Sequence, residues 1–309
     1  MARKTYREDD VVIVLAEGEE SQTVGTVLDA RKYPRKTMKS LFDDKLVLLN
    51  GRKTNPKDLM GAGDELRLQM PKEKLDHEPE AMDLAVLYED HDLLIVDKPA
   101  GLTVNSPGQV SLANGLAHYF KEQGIKRKIR FLNRLDRDTS GCIAIAKSGL
   151  AQGLYQQQMD ANVFKKYYRA NVEGNVWATD LNDSMDYVEV TDICNILTKQ
   201  CSTTYSLTFP MGRADDGIHQ EVRPDGKETR TDFEVIDFDG DQDQTKVQVE
   251  LFTGRTHQIR VAFSQIGHPL VGDVLYGAKE TGQPFCLRAH KVSFRHMRTG
   301  EAVTVEADW

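Results

Sequence analysis

No stretch of this chain stays apolar for the roughly 18 residues a membrane-spanning helix needs, so no membrane association is expected. The first ten residues, Met1 to Asp10, carry basic side chains but no apolar run of secretory length, and no signal peptide is expected. Cysteine is scarce, with four at positions 142, 194, 201 and 286. None forms Cys-x-x-Cys, and the Cys194/Cys201 spacing does not match common zinc sites. Reduced thiols in a cytoplasmic protein are the expectation, with no metal. There is no phosphate-binding Gly-rich Walker loop and no zincin helix, so no nucleotide or metal cofactor is expected either. An excess of positive charge is also missing: the net charge is -8. Such a protein binds nucleic acid only where its basic residues are gathered into a patch.

The basic residues are in fact unevenly spread. Residues 28–61 hold nine lysines and arginines against four acids. Thr26 to Arg31 reads as a helix. Pro34 opens a second one, with Met38, Leu41 and Phe42 on one face and Arg35, Lys36 and Lys39 on another. Leu46–Leu49 reads as a short strand, Asn50-Gly51 as a hairpin turn and Glu65–Leu68 as an alternating strand. Two small helices with a basic face, followed by an Asn-Gly hairpin, resemble the S-four domain, a small RNA-binding module. The resemblance covers about residues 20–70 and implies RNA contacts from Arg31, Arg35, Lys36 and Lys39. The charged, proline-flanked stretch Pro71 to Glu80 then reads as a linker.

A length of 309 residues suggests about two domains. The division expected is 1–70 for the S-four-like domain, 71–81 for the linker and 82–309 for a larger domain. Beyond the linker, strands dominate. Leu93–Val96 and Cys142–Ala146 read as buried strands, and Lys246–Leu251 alternates cleanly. Helices are expected near 111–123, 149–160 and 256–266. This is an α+β pattern with a mixed, largely antiparallel sheet and flanking helices, rather than a regular βαβ alternation. Residues 175–225 have weak periodicity and a run of acids (Asp180, Asp183, Asp186, Glu189, Asp192), and read in part as an insertion or long hairpin.

Three clusters carry candidate chemistry. In Arg134-Leu135-Asp136-Arg137-Asp138-Thr139-Ser140-Gly141 an aspartate sits in a polar turn just before a buried strand, reachable yet on a rigid scaffold. Lys166-Tyr167-Tyr168-Arg169-Ala170-Asn171-Val172-Glu173-Gly174 interleaves basic and aromatic residues on a strand. In Thr253-Gly254-Arg255-Thr256-His257-Gln258-Ile259-Arg260-Val261, Thr256 is the expected N-cap of a helix that Gly267 and Pro269 end. Arg260 falls on the face of Thr256, His257 and Ser264, away from the core stripe. The first turn of that helix offers backbone N–H groups to a phosphate.

In this order, the three motifs resemble the RluA family of pseudouridine synthases over residues 85–305. Asp97-Lys98-Pro99-Ala100-Gly101, Gly267-His268-Pro269-Leu270-Val271-Gly272-Asp273 and Thr299-Gly300-Glu301 support the match. The resemblance implies an isomerase acting on uridines of ribosomal or transfer RNA, without cofactor or metal, and expected to be monomeric. It implies Asp136 as the catalytic aspartate, Tyr168 as the tyrosine against the target base and Arg260 as the arginine paired with the aspartate. Arg134 and Arg255 are expected to contact RNA. The carboxylate would act as nucleophile at the anomeric carbon or as base at the adjacent ribose carbon, and an arginine beside it would favour its ionised form. Tyr168 would stack on uracil, worth roughly 1–3 kcal/mol, and the target nucleotide would flip out of its stack.

Each residue also has a plainer reading. Asp138 reads as bracing the turn, His257 and His268 as structural or substrate-contacting, and Lys98 as a phosphate contact or a solvated cation. Three positions depart from the family pattern: Asn133 where His is usual, Ala262 where His is common, and Met297 where Pro follows His296. The Asp-x-Asp at 136–138 also resembles the nucleophile motif of haloacid-dehalogenase phosphatases, but the threonine comes one position early and no long apolar strand precedes it. An RNA-binding or ribosome-assembly protein with a degenerate catalytic domain is the non-enzymatic alternative.

Overall fold

A computed structural model describes residues 10–176, 188–195 and 200–308 of the chain, with side chains outside 188–195 and 200–202. The N-terminal part runs β1 (Val11–Val14), β2 (Gln22–Thr23), α1 (Val24–Ala30), α2 (Arg35–Asp43), β3 (Val47–Leu49), β4 (Arg52–Lys53), β5 (Leu59–Met60) and β6 (Glu65–Leu68). Strands β1, β6, β3 and β4 form an antiparallel sheet in that order. The β3–β4 turn is Asn50-Gly51, with φ of 50° and 78°, the positive pair that a tight hairpin between right-twisted strands requires. Thr23 caps α1 by accepting a hydrogen bond from the Thr26 N–H at 3.2 Å. Pro34 precedes α2, whose Met38 and Leu41 are buried while Arg35, Lys36 and Lys39 are exposed.

No helix or strand occurs over residues 71–84. One of its carboxylates and part of its backbone are nonetheless engaged. The Glu73 carboxylate pairs with Arg130 and accepts from the Lys128 N–H, and the Glu78 carbonyl accepts from the Asn114 amide at 2.9 Å. The segment is tied down along its length.

The remainder runs β7 (Ala85–Glu89), β8 (Leu93–Lys98), α3 (Leu112–Glu122), β9 (Arg130–Phe131), β10 (Ser140–Ala146), α4 (Gly149–Asp160), β11 (Lys165–Glu173), β12 (Val188–Asn195), β13 (Gln200–Arg213), β14 (Gln220–Val222), β15 (Lys227–Asp239), β16 (Gln244–Leu251), α5 (Gln258–Gln265), β17 (Leu287–Arg295) and β18 (Ala302–Glu306). One sheet takes the order β12-β13-β15-β16-β11-β17-β10-β8-β7, with β14, β18 and β9 attached at β13, β17 and β10. Its pairings are antiparallel except β10 with β17. The fold is α+β, as the pattern of strands and helices implies.

Continuous apolar runs mark the two-sided burial of β8 and β10: Leu93–Val96 and Cys142–Ala146 are wholly buried. Phe263 of α5 packs on Phe233 of β15, with ring centroids 5.0 Å apart. Tyr155 of α4 meets Phe294 of β17 edge-on at 5.6 Å. On its other side α4 lends Leu150 and Leu154 to the N-terminal core. Arg298 adds a polar tie by donating to the Asp10 carbonyl at 2.9 Å while gripping the Asp92 carboxylate.

The weakly periodic stretch 175–225 is only partly an excursion. From Thr204 to Met211 β13 pairs with β15, and Leu207, Phe209 and Met211 are core residues. Within it Tyr205, Leu207, Phe209 and Met211 alternate with Thr204, Ser206 and Thr208, the two-residue period of a half-buried strand. Asp180, Asp183 and Asp186 lie outside the described residues, as do the side chains of Glu189, Asp192, Cys194 and Cys201.

Candidate active site

The turn bearing Asp136 is rooted in the sheet. The Thr139 N–H donates to the Asp136 carbonyl at 3.2 Å, and Ser140 then enters β10. Gly141 has a φ of 107°, and a Cβ there would stand 2.2 Å from the Ala289 carbonyl oxygen of β17. That approach lets β10 and β17 run side by side and demands glycine. Asn133 anchors the other arm of the turn, its amide donating to the Cys142 carbonyl at 3.2 Å and accepting from the Ala144 N–H at 2.8 Å. The departure at Asn133 is thus a fully used structural amide.

Lys98 is neither a phosphate contact nor a solvated cation. It lies opposite Gly141 in the β8–β10 ladder and is wholly buried. Its ammonium donates to the carbonyls of Pro99 (2.8 Å), Leu102 (2.7 Å) and Arg137 (2.9 Å), fastening the turn one residue beyond Asp136. Burial pushes Lys98 down to about 8, while the charges of Asp138 and Asp136 pull it back up.

Helix α5 begins later than expected. Its N-cap is His257 rather than Thr256, with the His257 backbone in the left-handed region at φ 57°. Thr256 points to solvent and makes no cap, because Gln258 organises the entry instead. The buried Gln258 amide accepts from the Thr253 hydroxyl (2.8 Å) and the Arg255 N–H (3.1 Å), and donates to the Arg230 carbonyl and the Thr231 hydroxyl (both 3.0 Å). The Gln258 N–H is taken by the Arg255 carbonyl, so part of the donor set expected for a phosphate is already spent.

Arg260 is buried, contrary to a surface position. Its Nε and Nη2 donate to the two oxygens of Asp273, each at 2.7 Å, and its Nη1 stands 3.8 Å from Asp136 Oδ2. The guanidinium also lies over the rings of Phe285 (4.4 Å) and Tyr276 (4.9 Å). Asp273, itself buried, is thus the principal partner of this arginine. The sequence carries it inside Gly267–Asp273, where its one visible signal was a lone acid in a glycine-bounded loop.

Tyr168 lies on β11 where the β11–β17 register slips between Tyr167 and Arg169. It is 5% exposed, and burial, reinforced by the charge of Asp136, pushes its hydroxyl above the usual phenol range. The phenol is therefore neutral. Asp136 is 30% exposed, the most open of the three. Asp136, Tyr168 and Arg260 line one cavity of about 480 Å³, with Leu251 and Leu287 supplying apolar wall and exposed Arg134 and Arg255 at its edge. Such a volume falls within the roughly 300–1,000 Å³ of small-molecule sites. Arg31, Arg35, Lys36 and Lys39 are exposed on the N-terminal part and do not line this cavity. His257 does line it, with Nε2 4.0 Å from Asp136 Oδ2. Among the described residues no group of three or more His, Cys, Asp and Glu side chains is placed to hold a metal ion.

An open carboxylate beside a buried guanidinium, in a cavity lined by Tyr168, Leu251 and Leu287, suits acid–base or nucleophilic chemistry. A family model described as RNA pseudouridylate synthase matches residues 92–265, and the chain belongs to that family. It is accordingly an RNA-modifying isomerase. An uncharacterized RNA pseudouridine synthase of Bacillus subtilis is 33% identical, covering 97% of this chain and 94% of that protein. Ribosomal large subunit pseudouridine synthase D of Yersinia pestis is 32% identical over 80% of this chain and 70% of that protein. The solved structure of human RNA pseudouridylate synthase domain containing 1 shares the fold, with a TM-score of 0.55 at 23% identity over 75% of this chain and 86% of that one. Among the described residues no helix is long and apolar enough to cross a membrane.

Proposed function

We propose that this enzyme converts specific uridines of structured RNA to pseudouridine, with Asp136 as the group that acts on the ribose. The observation that carries this reading is the convergence of Asp136, Tyr168 and Arg260, from three separate elements, on one cavity. The reaction breaks the N1–C1′ bond, turns the uracil, forms a C5–C1′ bond and moves the C5 proton to N1. Nothing is oxidised or reduced. Asp136 serves in its ionised form, as nucleophile at C1′ or as base at C2′. The neutral Tyr168 ring offers a stacking face to the detached uracil. Arg260 supplies positive charge on the Asp136 side. The target nucleotide flips into the cavity, because a stacked uridine cannot bring C1′ to Asp136.

Large-subunit ribosomal RNA is the proposed substrate, on the strength of the relative named for that subunit. We further assign residues 1–70 as an S-four-like RNA-binding domain, 71–81 as its linker and 82–309 as the catalytic domain, acting as a monomer. The exposed Arg35, Lys36 and Lys39 on α2 support this, as do the exposed Arg134 and Arg255 at the cavity edge. Asp136→Asn is expected to abolish pseudouridine formation, measured by chemical mapping of total RNA, while leaving RNA affinity intact. Modification that persisted in this variant would overturn the role of Asp136.

A further inference from the structure

His257 has no part in the reaction just described, yet the protein takes trouble to aim it. A non-glycine residue in the left-handed region is uncommon and concentrates at functional sites. His257 occupies that region at the N-cap of α5. Its Nδ1 lies 2.7 Å from the Tyr276 hydroxyl, and the same hydroxyl accepts the Gln220 N–H at 2.9 Å. Its Nε2 lies 4.0 Å from Asp136 Oδ2, the oxygen that Arg260 Nη1 approaches at 3.8 Å.

The hydrogen-bond inventory favours one placement of the proton. One lone pair of the Tyr276 oxygen is taken by Gln220, and the hydroxyl hydrogen remains to be donated. Donated to Nδ1, it leaves the imidazole hydrogen on Nε2, facing the carboxylate. The opposite tautomer would set the Nε2 lone pair against a carboxylate oxygen. The doubly protonated form is disfavoured by burial and by the neighbouring Arg260, both of which lower His257.

We propose that His257 is a positioning residue for Asp136: its Nε2–H, held by Tyr276, and the Arg260 guanidinium together hold Oδ2, leaving Oδ1 as the oxygen that meets the ribose. This inference rests on Asp136 being the reacting carboxylate. The separations near 4 Å leave room to tighten when substrate fills the cavity, as happens with catalytic hydrogen bonds that are long in the free enzyme. Two donors from one short helix, converging on one oxygen, would restrict the rotation of Asp136 about its side-chain bonds. A reacting group loosened by about 1 Å loses on the order of 100-fold in rate.

The test uses the full chain and total RNA labelled with tritium at uracil carbon-5, prepared from cells lacking the gene. Release of tritium is followed in single turnover over a range of enzyme concentrations. His257→Ala is expected to lower the saturating rate by roughly 10- to 100-fold, with the half-saturating enzyme concentration and melting temperature unchanged. His257→Gln, whose amide nitrogen stands near the place of Nε2, is expected to recover most of the rate. Tyr276→Phe keeps the ring over Arg260 but loses the hydroxyl, and is expected to slow the reaction without changing affinity. Wild-type rates in both His257→Ala and Tyr276→Phe would overturn the proposal. So would equal losses in His257→Ala and His257→Gln, since the ring would then serve packing alone. Asp136→Asn is run alongside: full activity in that variant would mean that the assignment of Asp136 itself is wrong.

Discussion

Arg260 gives both hydrogen bonds of its guanidinium fork to Asp273, at 2.7 Å each, and only its remaining nitrogen, 3.8 Å away, to Asp136. The division of labour has a chemical sense. Asp273 is buried and fully engaged, so it fixes the arginine. Asp136 is left in the field of a cation without being locked to it, and keeps Oδ1 open to a substrate. A carboxylate held in a tight bidentate pair would have to break that pair before reacting.

Replacing Asp273 with Asn should therefore damage the site twice. It leaves a buried guanidinium without its counter-charge and exchanges one acceptor for a donor. Breaking a buried pair from one side typically costs about 3–5 kcal/mol. Urea unfolding should register a loss of that order, and pseudouridine formation should fall with it. A variant as stable as the wild type would mean that Arg260 is held by the Phe285 and Tyr276 rings alone.

Lys98 gives a pH signature. Its native value of about 8 lies below the ordinary 10.5, so between these the unfolded chain binds more protons than the native one. The sign is then a rise in unfolding free energy with pH, beginning near pH 8. The full difference corresponds to about 3 kcal/mol. Lys98→Met should abolish that rise when wild type and variant are unfolded in urea at pH 7.5 to 10. The variant should also be less stable at neutral pH, because three carbonyls lose their donor. Parallel pH slopes in the two proteins would refute this account of Lys98.

Gly141→Ala tests the β10–β17 contact. With φ at 107° and the Ala289 carbonyl oxygen 2.2 Å from the new methyl, the backbone must move. We expect a loss of several kcal/mol, well above the roughly 0.5–3 kcal/mol of most substitutions. Activity should be lost even where the variant folds, since Asp136 hangs from the start of this strand. Circular dichroism melting and the tritium-release assay report the two effects separately.

The exposed basic face of α2 makes a prediction about RNA. Lys36→Glu with Lys39→Glu should weaken RNA binding and flatten its dependence on salt, because fewer counterions are released. Melting temperature should be unchanged, as both side chains point to solvent. Filter binding at several salt concentrations checks this, and an unchanged salt slope would remove α2 from the RNA interface.

Much of the fold could be read along the chain. Leu93–Val96 and Cys142–Ala146 are strands because unbroken apolar runs suit burial on both faces, and α3 and α4 fall where helices are expected near 111–123 and 149–160. The strand β13 has its own clean alternation from Thr204 to Met211, but it lies within a longer stretch, 175–225, whose acidic, aperiodic residues gave the segment as a whole a weak period. At α5 the sequence offered Thr256 as a cap, and the longer reach of Gln258 across to β15 decided otherwise.

The sequence by itself determined the local setting of each candidate residue: Asp136 in a turn, Tyr168 on a strand and Arg260 in a helix. It could do so because turn, strand and helix preferences act over a few neighbouring residues. Only the tertiary structure decided the partnerships. Asp273 binds Arg260, Lys98 reaches the carbonyl of Arg137, and Tyr276 orients His257, across separations of 13, 39 and 19 residues. Those pairings depend on how the sheet and loops close, and on the cost of leaving any buried charge or hydrogen-bonding group without a partner.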